Sequence, residues 1–270
     1  MAMQIEVKPI KSKSFIESEA YKKLRTNIQF SGNQMKAIAI TSVSPNDGKS
    51  EISFKLAWSL AKMDKKTIYV DADLRNSKFL IKHEIHQELK GLAHYLVGEN
   101  TVDDVITKTQ NPNLDIISIG AFPPNPSELL SQDIYKELIS ELRERYDYVV
   151  IDTPPSGLVI DGVIASAAAD GVILVISSGN TTQKSALSVL SVLEKAKCKV
   201  IGCVLNKCGQ KGTKAMSYGG YYGYNGYGSY GSYGTYGGYG GYGHEYDYSS
   251  KTWFDKLKSK FKKHKNTKSN

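Results

Sequence analysis

The sequence predicts an α/β fold, a mostly parallel sheet with helices on both faces, followed by a flexible C-terminal extension. Apolar runs without in/out alternation, such as Tyr148-Val149-Val150-Ile151 and Gly171 to Ile176, mark strands buried on both sides. Helical segments fall between these runs, the order expected of strand–helix–strand crossovers. After Lys214 the composition changes abruptly to Gly, Tyr and Ser, which cannot build a packed core.

Residues 14 to 30 come first, with Phe15, Leu24 and Ile28 apolar among Glu17, Glu19, Lys22, Lys23 and Arg25. This is the spacing of an amphipathic helix placed before the core. Residues 36 to 50 then read as a strand from Ala37 to Ile40 and a turn at Pro45-Asn46-Asp47-Gly48. A helix follows from Ser50 to about Lys62, with Ile52, Leu56, Ala57 and Leu60 on one face. A strand emptying through such a turn into a helix is the layout of a phosphate-binding loop, so the fold is read as that of a P-loop NTPase. Backbone N–H groups entering a helix N-terminus converge on one place, and a triphosphate satisfies them. Lys49 is expected as an exposed cradle lysine on the β- and γ-phosphates, and the Ser50 hydroxyl as a ligand of Mg²⁺. The match to G-x-x-x-x-G-K-[ST] lacks its first glycine, since Val43 stands there. Asn46 compensates in kind, being a residue that tolerates the left-handed conformation such a loop can require. The candidate nucleotide contacts in this stretch are Pro45, Asn46, Asp47, Gly48, Lys49, Ser50 and Glu51.

A second strand, Thr67 to Val70, ends in Asp71-Ala72-Asp73-Leu74-Arg75. Two carboxylates at a strand's C-terminal end, one loop away from a phosphate cradle, are where a magnesium nucleotide sits. Asn76 to Asn111 is polar and irregular, with helical pieces near Gly91 to Leu96 and Val102 to Ile106, and reads as a cover over the strand ends. Leu114 to Ile119 forms a strand and Phe122 to Pro126 a rigid turn. One helix is expected from there to Arg145, with Leu130, Ile134, Leu138 and Leu142 at i, i+4 spacing. The strand Tyr148 to Ile151 ends in Asp152-Thr153-Pro154-Pro155, and Lys199 to Leu205 forms a last apolar strand after a helix from Thr182 to Ala196. Ser50, Asp71, Asp73 and Asp152 thus all fall at carboxyl ends of strands, where such sheets bind ligands.

At 270 residues with 40% hydrophobic content, the chain supports one α/β domain with appended tails. No run approaches the length of a membrane span and no leader segment is evident, so the expected location is the cytoplasm. Cys198, Cys203 and Cys208 are too few for a disulfide framework and read as reduced thiols. Of the net charge of +8, residues 251–270 supply +7, from eight lysines against Asp255. The remainder is close to neutral, which excludes a nucleic-acid-binding core. The expected organisation is an N-terminal oligomerisation element over 1–35, a nucleotide-binding domain over 36–210, a Tyr/Gly-rich tail over 211–250 and a basic amphipathic terminus over 251–270.

The combination resembles the bacterial tyrosine kinases of capsular and exopolysaccharide systems, in the form of the cytoplasmic autokinase subunit of Gram-positive bacteria. Ser44 to Ser50 resembles their Walker A motif, Ile68 to Arg75 their Walker A′ motif and Val149 to Pro155 their Walker B motif. The resemblance implies ATP and Mg²⁺ as cofactors, with Lys49, Asp71, Asp73 and Asp152 as the catalytic set, and Asn206 at the adenine. It implies that Ser50, Asp73 and Asp152 organise the ion, leaving Asp71 to accept the phenolic proton of an incoming tyrosine. The implied targets are the tail residues Tyr218, Tyr221, Tyr222, Tyr224, Tyr227, Tyr230, Tyr233, Tyr236, Tyr239, Tyr242, Tyr246 and Tyr248, phosphorylated between subunits. A ring-shaped homo-oligomer is implied through an E-x-x-R-x-x-R element, here Glu19, Lys22 and Arg25, in which Lys22 lacks the bidentate fork of arginine.

The resemblance further implies a transmembrane adaptor of the polysaccharide co-polymerase type and a cognate phosphotyrosine phosphatase. Location is then at the inner face of the cell membrane. Trp253, Phe254, Leu257 and Phe261 among lysines also read as a helix able to lie on an anionic membrane surface. Two alternatives share the sheet. A positioning ATPase of the MinD and ParA type would carry a signature lysine where Ser44 stands. A non-catalytic ATP-binding scaffold would keep its function without Lys49.

Overall fold

A computed structural model describes residues 4–8, 14–32 and 34–208. In chain order the elements are β1 (Gln4–Ile5), α1 (Phe15–Phe30), β2 (Ala37–Ser42), α2 (Lys49–Ala61), β3 (Thr67–Asp71), α3 (Phe79–Lys82), α4 (Leu92–Leu96) and α5 (Val102–Val105). They continue with β4 (Thr107–Thr109), β5 (Leu114–Ile117), α6 (Pro126–Ser131), α7 (Asp133–Arg145), β6 (Tyr148–Asp152), α8 (Asp161–Ala167), β7 (Gly171–Ser177), α9 (Gln183–Lys195) and β8 (Val200–Asn206). The strands form one eight-stranded sheet in the order β1-β4-β5-β3-β6-β2-β7-β8. Every pairing is parallel except β4 with β5. The tyrosine cluster and the basic segment 251–270 lie outside the described residues.

The central strands are apolar on both faces because both faces are covered, and β2, β3, β5 and β7 are buried along their whole length. Phe54, Leu56 and Leu60 of α2 share a core with Ile38 and Ile40 of β2, Tyr69 of β3 and Val150 of β6. Within it the Phe54 ring meets Tyr69 edge-on at 5.6 Å and Phe79 stacks on Tyr69 at 4.9 Å, geometries that aromatic quadrupoles favour. The sheet order places β3, β6 and β2 side by side, so the exits of the three strands that carry the candidate site residues open at one place.

Several elements depart from expectation. The helix expected to run unbroken to Arg145 splits at Gln132, whose extended ψ of 154° ends α6 and begins α7. The break shifts the helical phase, so Tyr135 is fully buried, its hydroxyl donating to Ala165 O at 3.2 Å, while Ile134 is only half-buried. The cover over 76–111 contains more order than its composition signals, namely α3 and the short strand β4. Leu92 and Ala93 of α4 donate their N–H groups to Ser118 O and Ile119 O at 2.7 and 3.0 Å, fastening the cover to the exit of β5. The expected strand over Lys199 to Leu205 is present as β8, but as a sheet edge with Gly202, Cys203 and Leu205 exposed. Of the three apolar residues expected to line α1, Ile28 is buried and Leu24 half-buried, while Phe15 stands in solvent.

The phase shift has a measurable consequence. Leu138→Ala removes a fully buried side chain of α7 and is expected to cost about 2–5 kcal/mol, the usual range for core truncation. Ile134→Ala is expected to cost less than half as much in the same urea titration. Equal losses would restore the unbroken helix.

Candidate active site

β2 delivers the chain into the phosphate loop, and the loop is held in a conformation that ordinary residues resist. Asn46 has φ 63° and Gly48, the N-cap of α2, has φ 97°. The backbone angle favours glycine at Gly48, and a Cβ there would also stand 2.1 Å from Asn206 Nδ2 and push that amide aside. The Asp47 carboxylate accepts from Ser44 N at 2.8 Å and closes the loop from within. From outside, Asn206 Nδ2 donates to Asp47 O at 2.8 Å and Lys207 Nζ to Asn46 O at 2.6 Å.

Lys49 is buried rather than exposed. Its Nζ donates to Asp73 Oδ2 at 2.9 Å and to Ser50 Oγ at 3.2 Å, and lies 3.9 Å from Asp152 Oδ1. Burial works against its charge, but Asp152 and Asp73 outweigh that effect and push its pKa up. The cause of the difference is the pair of strand-end carboxylates, which give the ammonium its counter-charge inside the protein.

Asp71 and Asp152 are register partners on the adjacent parallel strands β3 and β6, which sets two carboxyl groups against each other in the interior. Burial and the Asp152 charge push Asp71 up to about 8. Burial likewise raises Asp152, opposed by Lys49 and by a hydrogen bond from Ser50. Both Asp71 oxygens are already engaged, one by the Ser77 hydroxyl and one by Asp73 N–H at 3.2 Å. Asp152 accepts from Tyr69 Oη at 3.1 Å and from Ser53 Oγ at 3.2 Å. Ser53, Tyr69 and Ser77 belong to the site, and nothing in the linear sequence marks them, because their partners stand on other elements.

Three carboxylates around one ammonium leave surplus negative charge, and their oxygens with the Ser50 hydroxyl are the hard donors that Mg²⁺ takes. Among the described residues no three His, Cys, Asp or Glu side chains converge as an all-protein metal cage. The N-terminus of α2 supplies the complementary anion site.

Other expected residues are placed differently. The Glu51 carboxylate pairs with Lys55 at 2.7 Å and Lys82 at 3.4 Å, leaving its position in the first turn of α2 as its link to the nucleotide. Glu19 and Lys22 pair with each other at 2.7 Å on the exposed face of α1. Arg25 turns inward and donates to Ser59 O and Ser59 Oγ of α2 at 3.1 and 3.0 Å.

The family model described as an AAA domain matches residues 35–201. The tyrosine-protein kinase CpsD of Streptococcus agalactiae is 38% identical over 201 residues, covering 74% of this chain and 88% of that protein. The tyrosine-protein kinase YwqD of Bacillus subtilis is 37% identical over 223 residues, covering 80% and 91%. The kinase domain of the Escherichia coli tyrosine kinase ETK superposes with a TM-score of 0.67 at 33% identity, over 70% of this chain and 74% of that one. The septum site-determining protein MinD of Pyrococcus horikoshii, solved with Mg-ADP, is more distant, with a TM-score of 0.58 at 26% identity over 66% and 72%. An α/β sheet with a left-handed phosphate loop, a lysine among strand-end aspartates and these relatives lead to one conclusion: the chain belongs to the bacterial tyrosine kinases, protein-tyrosine kinases built on a P-loop nucleotide site.

Proposed function

We propose that this kinase transfers the γ-phosphoryl group of Mg-ATP to the C-terminal tyrosine cluster of a neighbouring subunit, and that it does so in the control of capsular or exopolysaccharide synthesis and export. The observation that carries the reading is the Lys49 ammonium held among Asp73, Asp152 and Ser50 at the mouth of the phosphate loop. Lys49 is assigned to the β- and γ-phosphates, and Ser50, Asp73 and Asp152 to the ion. Bound there, the cation would supply positive charge against the phosphates and the two aspartates, and with it the condition for Asp71 to ionise.

The transfer itself forms a bond from the tyrosine oxygen to phosphorus and breaks the bond from phosphorus to the bridging oxygen of ADP. The phenolic proton, with a reference pKa near 10, goes to Asp71, which the incoming hydroxyl reaches by displacing Ser77. Asn206 is assigned to the adenine through the amide donor and acceptor that its bond to Asp47 leaves free. The Tyr/Gly-rich tail is the target, with Glu19, Lys22 and Arg25 on the helix that meets other subunits in a ring. The partners are a transmembrane adaptor that activates the kinase at the inner face of the membrane and a phosphatase that resets it. No helix among the described residues is long and apolar enough to cross a membrane. The basic terminus 251–270 would rest on anionic lipid. A MinD-type role is disfavoured by Ser44, which stands where that group places its signature lysine.

Lys49→Ala is expected to abolish phosphotyrosine formation. It also leaves buried carboxylates without their cation, so the nucleotide-free protein should lose about 3–5 kcal/mol at neutral pH. Full phosphotyrosine formation in the variant would overturn the assignment of Lys49, and none in the unaltered protein would favour the scaffold.

Asp71→Asn is expected to abolish turnover while mant-ADP still binds; loss of nucleotide binding would make Asp71 an ion ligand instead. The folded carboxyl titrates near 8 and an unfolded aspartate near 3.8. The folded state therefore holds a proton that the unfolded state has released between these values, and the stability this group contributes is lost as pH rises through 8. In nucleotide-free, metal-free protein, Asp71→Asn should thus raise the melting temperature at pH 8, with a gain that shrinks towards pH 4. A gain independent of pH would contradict the buried-carboxyl assignment.

Transfer between subunits is checked by mixing Lys49→Ala chains that keep the tail with active chains truncated after residue 210. Phosphotyrosine on the inactive chains is expected, and unlabelled tails would mean transfer within one chain.

A further inference from the structure

Arg75 closes the Asp71-Ala72-Asp73-Leu74-Arg75 segment, yet nothing in the phosphoryl-transfer scheme uses it. Its guanidinium grips the Asp161 carboxylate with both branches, Nε to Oδ2 at 2.5 Å and Nη2 to Oδ1 at 3.3 Å. Ser127 Oγ donates to the same Oδ1 at 2.5 Å and accepts from Arg75 Nη2 at 3.0 Å. The Asp161 side chain is wholly shielded from solvent, whereas the Arg75 side chain is 45% exposed. A fully buried carboxylate without a partner is costly, so Asp161 demands this arginine.

The two ends of the contact differ in rigidity. Asp161 begins α8, and its neighbour Gly162 lies so close to the β6 exit that a Cβ would stand 2.3 Å from Pro154 O. That exit is pinned to β2 in turn, Thr41 Oγ1 donating to Pro154 O at 2.9 Å and lying 2.7 Å from Ser156 Oγ. Asp161 is therefore fixed to the strand that feeds the phosphate loop, and Arg75 is the group that is held. Arg75 sits two residues after Asp73 and four after Asp71, in a turn where Asn76 N donates to Asp73 Oδ1 at 3.2 Å. Ser127 brings α6, which follows the exit of β5, to the same carboxylate. Segments leaving the neighbouring strands β5, β3 and β6 thus meet at one buried oxygen.

We infer that Arg75, Asp161 and Ser127 form a positioning clamp that fixes the Asp71–Asp73 loop against the Asp152 exit and the phosphate loop, so that its loss slows phosphoryl transfer without loosening the binding of metal-free nucleotide. This rests on the assignment of Asp71 and Asp73 to the reaction. Binding of ADP without Mg²⁺ is spared because the N–H groups and Lys49 that hold the phosphates belong to a different loop, whereas the ion depends on Asp73 of the clamped loop itself. Transfer is not spared, since a displacement of about 1 Å in a reacting group costs on the order of 100-fold in rate.

The test compares full-length Arg75→Ala, Arg75→Lys, Asp161→Asn, Ser127→Ala and the Arg75→Ala/Asp161→Asn double variant. Initial rates of phosphotyrosine formation against Mg-ATP concentration give kcat and KM, mant-ADP titration without Mg²⁺ gives affinity, and amide hydrogen exchange reads residues 71–78. Arg75→Ala and Asp161→Asn are each expected to lower kcat about 10- to 100-fold with affinity changed less than about threefold. Exchange in 71–78 should rise, and the double variant should be no slower than the worse single one, because both remove one interaction. Lysine restores charge without the fork, so Arg75→Lys should recover only part of kcat. Ser127→Ala keeps the ion pair and therefore the fold, and should lower kcat a few-fold at unchanged affinity; it decides the matter should Asp161→Asn fail to fold. Unchanged kcat in folded variants, losses that multiply in the double variant, or kcat and affinity falling in step would overturn the clamp. Asp71→Asn run in parallel separates the two claims: if it alone is inactive the clamp fails and the role of Asp71 stands, and if it too is fully active the loop was wrongly assigned.

Discussion

The site depends on one buried cation. Lys49 stands among carboxylates from two neighbouring strand ends, and without it Asp73 and Asp152 would share a low-dielectric interior with Asp71 and no counter-charge. Even with it, Asp71 is held well above the ordinary carboxylate range, so the site is under electrostatic load. Such a load is relieved by added positive charge. The hydroxyls of Ser50, Ser53, Tyr69 and Ser77 lighten the load by donating hydrogen bonds to the carboxylates. Tyr69 does this from inside the aromatic cluster with Phe54 and Phe79, so the packing of the core and the polarity of the site meet in one side chain.

Most of the architecture was legible because the strands are apolar on both faces and the helices are not. The strand-end aspartates were legible for the same reason: a charge ending an apolar run has to lie where the strand leaves the core. What escaped were features decided by partners distant in sequence. Ser53 and Tyr69 both bond Asp152, across 99 and 83 residues. Gln132 breaks a helix whose i, i+4 pattern is otherwise intact, and no proline or glycine announces it. The strand β8 reads as buried because its residues are apolar, whereas a sheet must end somewhere and an edge strand has no signature in composition alone. Lys49 was expected in solvent because its role was inferred from a phosphate alone, whereas Asp73 and Asp152 draw the ammonium into the interior.

The helix α1 is tied to the catalytic helix more closely than its position before the core implies. Lys55 of α2 is almost wholly buried between Glu17 of α1 at 2.5 Å and Glu51 at 2.7 Å, with the Tyr21 ring 5.6 Å from its Nζ. Glu51 follows Ser50 directly, so charge on α1 is coupled through one lysine to the first turn that faces the phosphates. Arg25 adds a second fastening at Ser59. Any contact that another molecule makes with α1 therefore bears on the helix that begins the nucleotide site, without a conformational relay between them.

The far side of the phosphate loop is governed by the last residues of β8. Asn206 spends one amide N–H on Asp47 O and keeps its carbonyl and its second N–H, the pair of groups that a purine edge requires. Under the proposed assignment, loop placement and base recognition are properties of one side chain, and the missing first glycine at Val43 matters less than the motif implies. The loop owes its shape to Asn46 and Gly48 in the left-handed region, to Asp47 on Ser44 N, and to Asn206 and Lys207 from the edge. A backbone fixed at so many points does not need a flexible residue at its entrance, where Val43 instead packs in the interior as a continuation of β2.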